Sequence, residues 1–428
     1  MRHNKRILLI DNVISLSSTN LRLRERLELT TILGTKKYHS YMVFSDPVLL
    51  SKLRKSLRTN TFFDSRIETY RVPSLTIGTL ASNRLFGKVG KIMFGICNIF
   101  LQSIYLLHLT MLVLCLVLAK KIDLMHAHNP PDLTGFASLL VSKITHVPYI
   151  FEIHDRTPEL YSGEMGLSES SLVFNLMKSI EHLVVVNSEG IITVNGQVAT
   201  YFKQYGGPTP VAIYTGTKID APELEKTQFE NKKLRNKRII LYQGSLNMTA
   251  IGEPATYDLE LPLNVMPDIL NNFPDSVLVY VGEGSGRTKL EKRSKVMGLS
   301  EKVFFTGFIS KTQVFDWIKK AEILLIPYSD NPNCHTTVPS KLYEYMAIGK
   351  PIVATRFPGI SEILKHEHNG LLYTINSMND FSSCVFRLLN DPELAEKLSS
   401  NARRDFISKY SQDRNWQKLI SLYDSILD

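Results

Sequence analysis

The stretch TTVPSKLYEYMAIGKPIVAT, residues 336–355, decides the fold class, since it combines the start of a helix, the end of that helix and an apolar strand. Pro339 suits the first turn of a helix, because a residue without an N–H leaves no donor unpaired there. Thr337 is a candidate N-cap, and Gly349 is a candidate helix stop. The stretch therefore predicts a helix from about Pro339 to Ile348, followed by a strand over PIVAT.

Lys341 and Glu344 lie three positions apart on this predicted helix and therefore near the same face. A helix N-terminus carries partial positive charge and free N–H groups, so it can bind an anion, and Lys341 would add a full charge. The alternative is an exposed ion pair without a function, which contributes little to stability. The residues alone leave both interpretations open.

Short β-rich segments alternate with helical segments on both sides of this stretch. The first half contains RILLID, SYMVFS, IETYRV, DLMHAH, YIFEIH and GIITVN, and the second contains IILYQG, SVLVYVGEG, KVFFTGF, ILLIPY, PIVAT and GLLY. This alternation is typical of doubly wound α/β domains with parallel sheets. We predict two Rossmann-like domains, residues 1–220 and 239–406, facing a central cleft. A polar linker (221–238) joins them, and a terminal helix (407–428) has the option of crossing back to the first domain.

Glycines follow three of the predicted strands in the second half. Gly244 ends YQG, Gly282 and Gly284 lie in VGEGSGR, and Gly307 lies in FTGF. Glycine lets the backbone approach a ligand, and backbone N–H groups at strand ends can face phosphates. Turns use glycine too, so the argument rests on three strand ends sharing the feature.

Composition narrows the class of protein. A chain of 428 residues with 44% apolar and 21% charged residues is folded and long enough for two domains. The four cysteines are scattered, so we predict neither a disulfide framework nor a cysteine-based metal site.

The basic charge is concentrated at the start of the chain, where residues 1–92 hold 17 Lys and Arg against 6 Asp and Glu. Acidic lipid, a phosphorylated ligand, nucleic acid and plain solvation are the alternatives for this face. No motif interleaves aromatic residues with the charges, so we predict no nucleic-acid partner.

An uncharged apolar run covers residues 92–119 and is long enough to span a bilayer. Three interpretations of the run are open: a helix that spans the membrane, a helix that lies in the membrane interface, or a helix of the first domain. The strands RILLID and DLMHAH flank the run and are expected in one sheet, and a span would place them on opposite sides of a membrane. We therefore favour a domain helix that is partly exposed and touches a membrane.

Several motifs in their order along the chain resemble those of one family. The segment PSKLYEYMAIGKPIVAT…PGISEIL resembles the signature of the family 4 retaining glycosyltransferases of the GT-B fold. HAHNPPDLTGFASLLVSKITHVPYIFEIHDRTPELY is similar to the first-domain segment of a bacterial and archaeal branch that makes polysaccharides or glycolipids. ILYQGSL, VYVGEGSGRTKLE and VFFTGFISKTQVFDWIKKAEILLIPYSD follow in family order, so the resemblance covers most of residues 120–428.

The resemblance implies a nucleoside diphosphate sugar as donor, with UDP favoured over GDP. Glu344 would bind the ribose, Gly307 and Phe308 would lie near the base, and Arg287 and Lys341 would stabilise the departing diphosphate. The other implied donor-binding residues are Gly244, Ser245, Gly282, Gly284, Thr336, Thr337, Val338, Pro339, Ser340 and Leu342.

The resemblance also implies that His154 contacts the transferred sugar, with Asn129, Asp155 and Glu159 on the acceptor side. The acceptor would be lipid-linked or a polysaccharide, and the protein would be cytoplasmic and peripheral on the inner face of the cell membrane. No Asp-x-Asp motif occurs, so we predict a metal-independent reaction without a cofactor. The residues include no convincing carboxylate pair of the kind that retaining glycosidases use.

Two departures from the family pattern leave alternatives open. Thr336 stands where many members have a second glutamate, and Ser245 stands where many have an arginine. One alternative is a degenerate GT-B protein that binds a nucleotide sugar or a partner enzyme without transfer. A sugar-nucleotide epimerase on the same fold is another, which the order of the motifs disfavours.

Overall fold

A computed structural model gives the architecture of the chain. It describes residues 5–11, 38–47, 68–74, 87–129, 132–159, 162, 168–214, 234, 236–248, 256–331 and 334–428. Most of the predicted linker, residues 221–238, and most of the basic segment, residues 1–92, lie outside these ranges. The chain divides into two compact units, residues 1–214 with 416–428 and residues 215–415.

The first unit contains a parallel sheet of seven strands in the described residues. They are β1 (Lys5–Asp11), β2 (Tyr38–Pro47), β3 (Glu68–Ser74), β4 (Leu124–His128), β5 (Tyr149–Ile153), β6 (Gly190–Thr193) and β7 (Val211–Ala212), in the order β3-β2-β1-β4-β5-β6-β7. Every residue of β4, β5 and β6 is buried. Burial on both faces explains why these strands read as continuous apolar runs.

Among the described residues, four helices of at least eight residues lie between these strands: α1 (Gly87–Lys120), α2 (Leu133–Thr145), α3 (Leu172–Val186) and α4 (Gly196–Lys203). Helix α1 contains the whole apolar run, residues 92–119. Tyr105, Leu109, Val113 and Val117, four positions apart, pack into the core of the first unit. Its segment Phe100–Lys120 has the length and composition of a membrane span, and 28% of its most apolar window is buried.

The second unit contains a six-stranded parallel sheet in its described residues. Its strands are β8 (Arg238–Gln243), β9 (Ser276–Val281), β10 (Val303–Phe305), β11 (Ile323–Ile326), β12 (Ile352–Thr355) and β13 (Leu371–Tyr373), in the order β10-β9-β8-β11-β12-β13. Its helices are α5 (Glu260–Asn272), α6 (Arg287–Val296), α7 (Lys311–Lys320), α8 (Ser340–Ile348), α9 (Pro358–Ile363), α10 (Met378–Asn390) and α11 (Pro392–Asp405), and a π-helical turn follows at Phe406–Tyr410. Two doubly wound α/β units confirm the predicted fold class.

The last helix, α12 (Gln412–Leu427), packs against the sheet of the first unit. Trp416, Leu419 and Tyr423 lie in one apolar cluster with Ile7 of β1 and Ile150 of β5. The chain therefore ends on the unit in which it begins, and α12 covers part of the first sheet.

Helix α8 begins one residue later than the sequence predicted. Pro339 is extended (φ −74°, ψ 140°) and is the N-cap, so the prediction that Thr337 caps the helix is wrong. A proline has no side-chain acceptor, and no side chain caps this N-terminus. Gly349 ends the helix in the left-handed region with φ 74°, as predicted.

Candidate functional site

Three strand ends meet at one edge of the second sheet. Gly244 follows β8, and its N–H donates to the carbonyl of Val281 at 2.9 Å. Gly282 follows β9 and pairs with Gly307, which lies beyond β10. A Cβ on Gly282 would lie 2.0 Å from the carbonyl oxygen of Gly244. Any other residue at position 282 would therefore force these two backbones apart.

The loop after β9 lies directly on the loop after β8. The N–H of Leu246 donates to the carbonyl of Glu283 at 3.0 Å, and the N–H of Gly286 donates to the carbonyl of Leu246 at 2.9 Å. A Cβ on Gly284 would lie 2.3 Å from the carbonyl carbon of Leu246. The absence of a side chain at Gly284 thus serves the contact between two loops.

Lys341 is buried in the first turn of α8. Its Nζ lies 4.3 Å from the ring centroid of Tyr242 and 4.0 Å from that of Tyr257. A Cβ on Gly244 would lie 2.5 Å from the same Nζ, so the ammonium is at the end of β8. Among the described residues, Nζ has no hydrogen-bond partner. The side chain is 7% exposed, so it does not form the exposed ion pair that the sequence left open.

Burial lowers the pKa of Lys341 to about 7, although the carboxylate of Glu344 acts in the opposite direction. Aromatic faces attract a cation but accept no ordinary hydrogen bond from it. A buried ammonium without an acceptor is costly. The site around Lys341 is therefore electrostatically incomplete, and an anion would complete it.

Glu344 lies on the next turn of α8 and is half-buried. Burial raises the pKa of its carboxyl group, while the charges of Lys311 and Lys341 act in the opposite direction. The carboxylate and the ammonium of Lys341 thus influence each other at the start of one helix. The uncapped N-terminus of α8, Lys341 and Glu344 together offer donors for an anion and one acceptor for a hydroxyl group.

Arg287 is engaged by two carboxylates in the first turn of α6. Its Nη1 donates to Oε2 of Glu283 at 2.6 Å, and its Nε donates to Oε1 of Glu291 at 2.8 Å. These two hydrogen bonds raise the pKa of the guanidinium above its usual value. A diphosphate would have to compete with both carboxylates for Arg287, so it is a weaker candidate than Lys341.

The other predicted donor-site residues differ in the solvent exposure of their side chains. Phe308 is 90% exposed directly after Gly307, so its ring is available for stacking. Ser245 is also exposed, whereas the Leu342 side chain is fully buried and its N–H donates to the carbonyl of Pro339 at 3.0 Å. Leu342 therefore anchors α8 to the core. Of the remaining predicted residues, Thr337 and Ser340 are exposed, and Thr336 and Val338 are half-buried.

In the first unit, Asn129 fixes the backbone that carries His154. Oδ1 of Asn129 accepts the N–H of His154 at 2.6 Å and that of Asp155 at 3.3 Å. Nδ2 of Asn129 donates to the carbonyl of Asp155 at 2.8 Å and to Asp132 at 3.1 Å. The structure thus brings three of the four predicted first-domain residues together through the side chain of one of them.

Glu159, the fourth of these residues, lies in an ion-pair network. Its Oε1 accepts from Arg156 at 2.5 Å, from Lys178 at 3.1 Å and from the hydroxyl of Tyr201 at 3.2 Å. Burial opposes ionisation, but the hydrogen bond from Arg156 and the charge of Lys178 outweigh it, so the pKa of Glu159 is lowered. The contacts of Glu159 indicate a structural role beside the site.

Both units of the chain match known protein families. Residues 225–405 match the glycosyl transferases group 1 family, and residues 101–214 match the glycosyl transferase 4-like domain. Together these matches cover more than half of the chain. The chain belongs to the glycosyltransferases of the GT-B fold.

Individual relatives of this glycosyltransferase are distant. An uncharacterized glycosyltransferase of Methanocaldococcus jannaschii is 28% identical over 313 residues, which are 71% of this chain and 75% of the relative. A lipopolysaccharide core biosynthesis glycosyltransferase of Rhizobium meliloti is 26% identical over 150 residues, 35% of this chain and 42% of that protein. HepE of Anabaena, solved with UDP, superimposes with a TM-score of 0.66 at 15% identity, over 98% of this chain and 100% of that one. At that identity the likeness shows the fold.

Sequence analysis missed three buried polar residues of the glycosyltransferase that lie near His154. They are His126 and His128 of β4 and Glu152 of β5. The signal for them was the polar alternation HAH and FEIH within otherwise apolar strands, which places these side chains on one face. Tyr257 was missed as well, because no local pattern connects it with Lys341.

Proposed function

We propose that this glycosyltransferase moves a sugar from a nucleoside diphosphate sugar to a lipid-linked or polysaccharide acceptor with retention of configuration, and that UDP is favoured over GDP. The observation that carries the proposal is the buried ammonium of Lys341 at the uncapped N-terminus of α8. A diphosphate would supply the missing counter-charge and accept hydrogen bonds from the ammonium and from the helix N–H groups. The UDP bound by the Anabaena neighbour supports this class of ligand.

The remaining donor contacts follow from the same edge of the second sheet. In the proposal, Glu344 accepts hydrogen bonds from the ribose hydroxyls, and the exposed ring of Phe308 stacks on the base beside Gly307. Lys341 is then both a binding group and a transition-state group, because negative charge on the diphosphate grows as the glycosidic bond breaks.

For retention, we propose that the acceptor oxygen bonds to the anomeric carbon on the face from which the diphosphate departs. The acceptor proton passes to an oxygen of the leaving phosphate, so no protein nucleophile is required. His154 contacts the transferred sugar. The metal-independent form of the reaction is supported by Lys341, which supplies positive charge at the diphosphate.

The acceptor and the location are proposed from helix α1. Phe100, Leu107, Met111 and Leu118 expose more than half of their side-chain surface at spacings of seven, four and seven residues, which form one stripe. Lys120 and Lys121 follow at the end of the helix. An apolar stripe beside basic residues fits the surface of an anionic bilayer. The lipopolysaccharide relative supports a glycolipid or polysaccharide acceptor, and we place the protein on the cytoplasmic face of the cell membrane.

A second candidate function is nucleotide-sugar binding without transfer. The pairing of Arg287 with two carboxylates and the serine at position 245 favour it, since each removes positive charge that many family members have. Calorimetric titration with UDP and GDP, followed by hydrolysis and transfer assays with a panel of nucleotide sugars and membrane extracts, separates the candidates. We expect UDP to bind and one donor to react, with the product anomer identified by NMR. Binding without hydrolysis or transfer would favour the second candidate, and no binding of either nucleotide would contradict both.

Membrane attachment is tested by flotation with vesicles that contain anionic lipid. We expect the protein to float with such vesicles and to be released as salt increases. The double variant Leu107→Gln, Met111→Gln should float less, whereas Val296→Gln, at an even more exposed apolar residue of the second unit, should float like the parent protein. Unchanged flotation of the double variant would contradict attachment through α1.

A further inference from the structure

A line of buried polar side chains crosses the face of the first sheet that α12 covers. His126 and His128 are two residues apart on β4, so they share a face. Glu152 is paired in register with His128 on the neighbouring parallel strand, so it lies on that face too. His126, His128 and Glu152 are all at most 3% exposed.

Glu152 contacts His154 directly. Oε1 of Glu152 lies 3.0 Å from Nε2 of His154, and Nδ1 of His128 lies 3.4 Å from the same Nε2. An ionised carboxylate only accepts hydrogen bonds, so Nε2 of His154 carries the proton in this contact. In the neutral ring, Nδ1 of His154 then has the free lone pair.

The other carboxylate oxygen faces His126, which in turn contacts α12. Oε2 of Glu152 lies 3.3 Å from Nε2 of His126, and Nδ1 of His126 lies 2.6 Å from the hydroxyl of Tyr423. The rings of Tyr423 and His126 also pack edge to face, 5.8 Å apart. The C-terminal helix is thus connected to His154 through His126 and Glu152.

We propose that Glu152 is a positioning residue, whose carboxylate holds the ring of His154 in the Nε2–H tautomer and in one orientation for sugar transfer. This role rests on the proposed function, in which His154 contacts the transferred sugar. A neutral imidazole has two tautomers and can also rotate by half a turn, so a fixed acceptor on one nitrogen selects one arrangement. His126, which contacts Tyr423, lies against the second oxygen of the carboxylate.

The direct test is the tautomer of His154, read by NMR in ¹⁵N-histidine-labelled protein without substrate. The signals of His154 are assigned by their loss in His154→Gln. We expect the parent protein to show the Nε2–H tautomer, and Glu152→Gln to show a mixture, because an amide offers the ring both a donor and an acceptor. Glu181→Gln is the matched control: Glu181 is equally buried in the same unit, but it accepts from Lys178 and Tyr205, so the His154 tautomer should not change.

The second measurement is the division between kcat and the KM for the donor. Glu152→Gln should lower kcat by about 100-fold, the loss that a misplaced contact to the reacting sugar can cause, while the KM changes less than about threefold, because the nucleotide is bound elsewhere. Tyr423→Phe should lower kcat by a smaller factor. Tyr38→Phe, which loses a hydrogen bond to Asp424 beside Tyr423, should leave kcat unchanged.

The outcomes separate this role from the proposed function. A parent protein that transfers no sugar contradicts the proposed function. An active parent whose His154 tautomer and kcat are both unchanged by Glu152→Gln overturns the role of Glu152. Elemental analysis adds a further criterion, since His126, His128 and Glu152 have the ligand types of a metal site. About one equivalent of a transition metal in the purified protein, lost in Glu152→Gln, would overturn the proposal by making Glu152 a metal ligand.

Discussion

The surroundings of Lys341 in the second unit and of Glu152 in the first differ in what the protein provides for a buried charge. Lys341 is enclosed by the rings of Tyr242 and Tyr257, which offer no hydrogen-bond acceptor at its ammonium group. Glu152 lies within 3.0–3.3 Å of ring nitrogens of His154 and His126. The first charge is left for a ligand to satisfy, whereas the second lies against two histidine rings of the fold.

This difference separates a binding site from a positioning network. A protein that leaves a buried cation without an acceptor loses stability, and it recovers free energy when an anion arrives. A carboxylate that contacts two histidine rings instead fixes the geometry of its neighbours. Changes at the two positions should therefore differ in sign as well as in size.

The largest expected effect is on turnover, at Lys341. Lys341→Ala should lower kcat by about 10²–10³, the usual loss when one donor to a developing anion is removed. The donor KM should rise by a smaller factor, since the ammonium acts most on the departing diphosphate. Steady-state kinetics of donor hydrolysis or transfer measures both constants.

Lys350→Ala is the matched control for this change. Lys350 lies just beyond the other end of α8, and burial also lowers its pKa, but it is remote from the helix N-terminus. The kcat of the Lys350→Ala variant should stay within about twofold of the parent value. Equal losses at Lys341 and Lys350 would show that helix stability, and not charge at the diphosphate, explains the result.

The next effect is on nucleotide affinity, at Glu344. Glu344→Ala should weaken UDP binding by about 1.5–3 kcal/mol, the range for a hydrogen bond to a charged group. Calorimetric titration measures the change, with Glu396→Ala on the exposed face of α11 as control. An affinity equal to that of the parent protein would remove Glu344 from the donor site.

Stability should change in opposite directions when each buried charge is removed. Without nucleotide, Lys341→Met should raise the free energy of unfolding by about 1–4 kcal/mol, as replacement of buried charge by apolar volume often does. Glu152→Gln should lower it by about 1–3 kcal/mol, since a neutral amide oxygen accepts more weakly from a buried partner than a carboxylate oxygen does. Thermal and denaturant unfolding test the signs, and two changes of the same sign would refute the contrast.

The increase in the free energy of unfolding caused by Lys341→Met should also depend on pH. The pKa of Lys341 is about 7 in the folded protein and 10.5 without burial, so the unfolded state binds more protons between these values. The stability of the parent protein therefore rises with pH across this window. The advantage of the methionine variant should be full below pH 7 and should shrink as the pH approaches 10.5.

The smallest expected effect is the pH dependence of nucleotide binding. A bound diphosphate favours the protonated form of Lys341 and raises its pKa, so binding above pH 7 requires the uptake of a proton. Protonation of Lys341 should leave the UDP affinity nearly constant below pH 7. Above pH 7, the affinity should fall by up to about tenfold per pH unit. Titrations between pH 6 and pH 9 measure this slope, and Lys341→Met should lose it. An identical slope in the variant would mean that another group takes up the proton.

Much of the fold was predictable from local patterns. The predicted strands RILLID, DLMHAH, YIFEIH and PIVAT contain β1, β4, β5 and β12 to within one or two residues, because buried parallel strands are continuous apolar runs. The helix around Lys341 was placed to within one residue by its proline and its glycine. The error at Thr337 arose because Pro339 is itself extended and takes the cap position, two residues after Thr337.

By itself, the sequence determined the alternation of strands and helices, the helix with Lys341 and Glu344 on one face, and the positions of the strand-end glycines. These features depend on residues near one another in the chain, where periodicity and turn chemistry act. Only the tertiary structure decided that Lys341 is buried against Tyr257, that Arg287 is held by two carboxylates, and that Tyr423 is connected to His154 through Glu152. Burial, pKa and hydrogen-bond partners depend on strand register and helix packing, which bring together residues as far apart as His126 and Tyr423, separated by 297 positions.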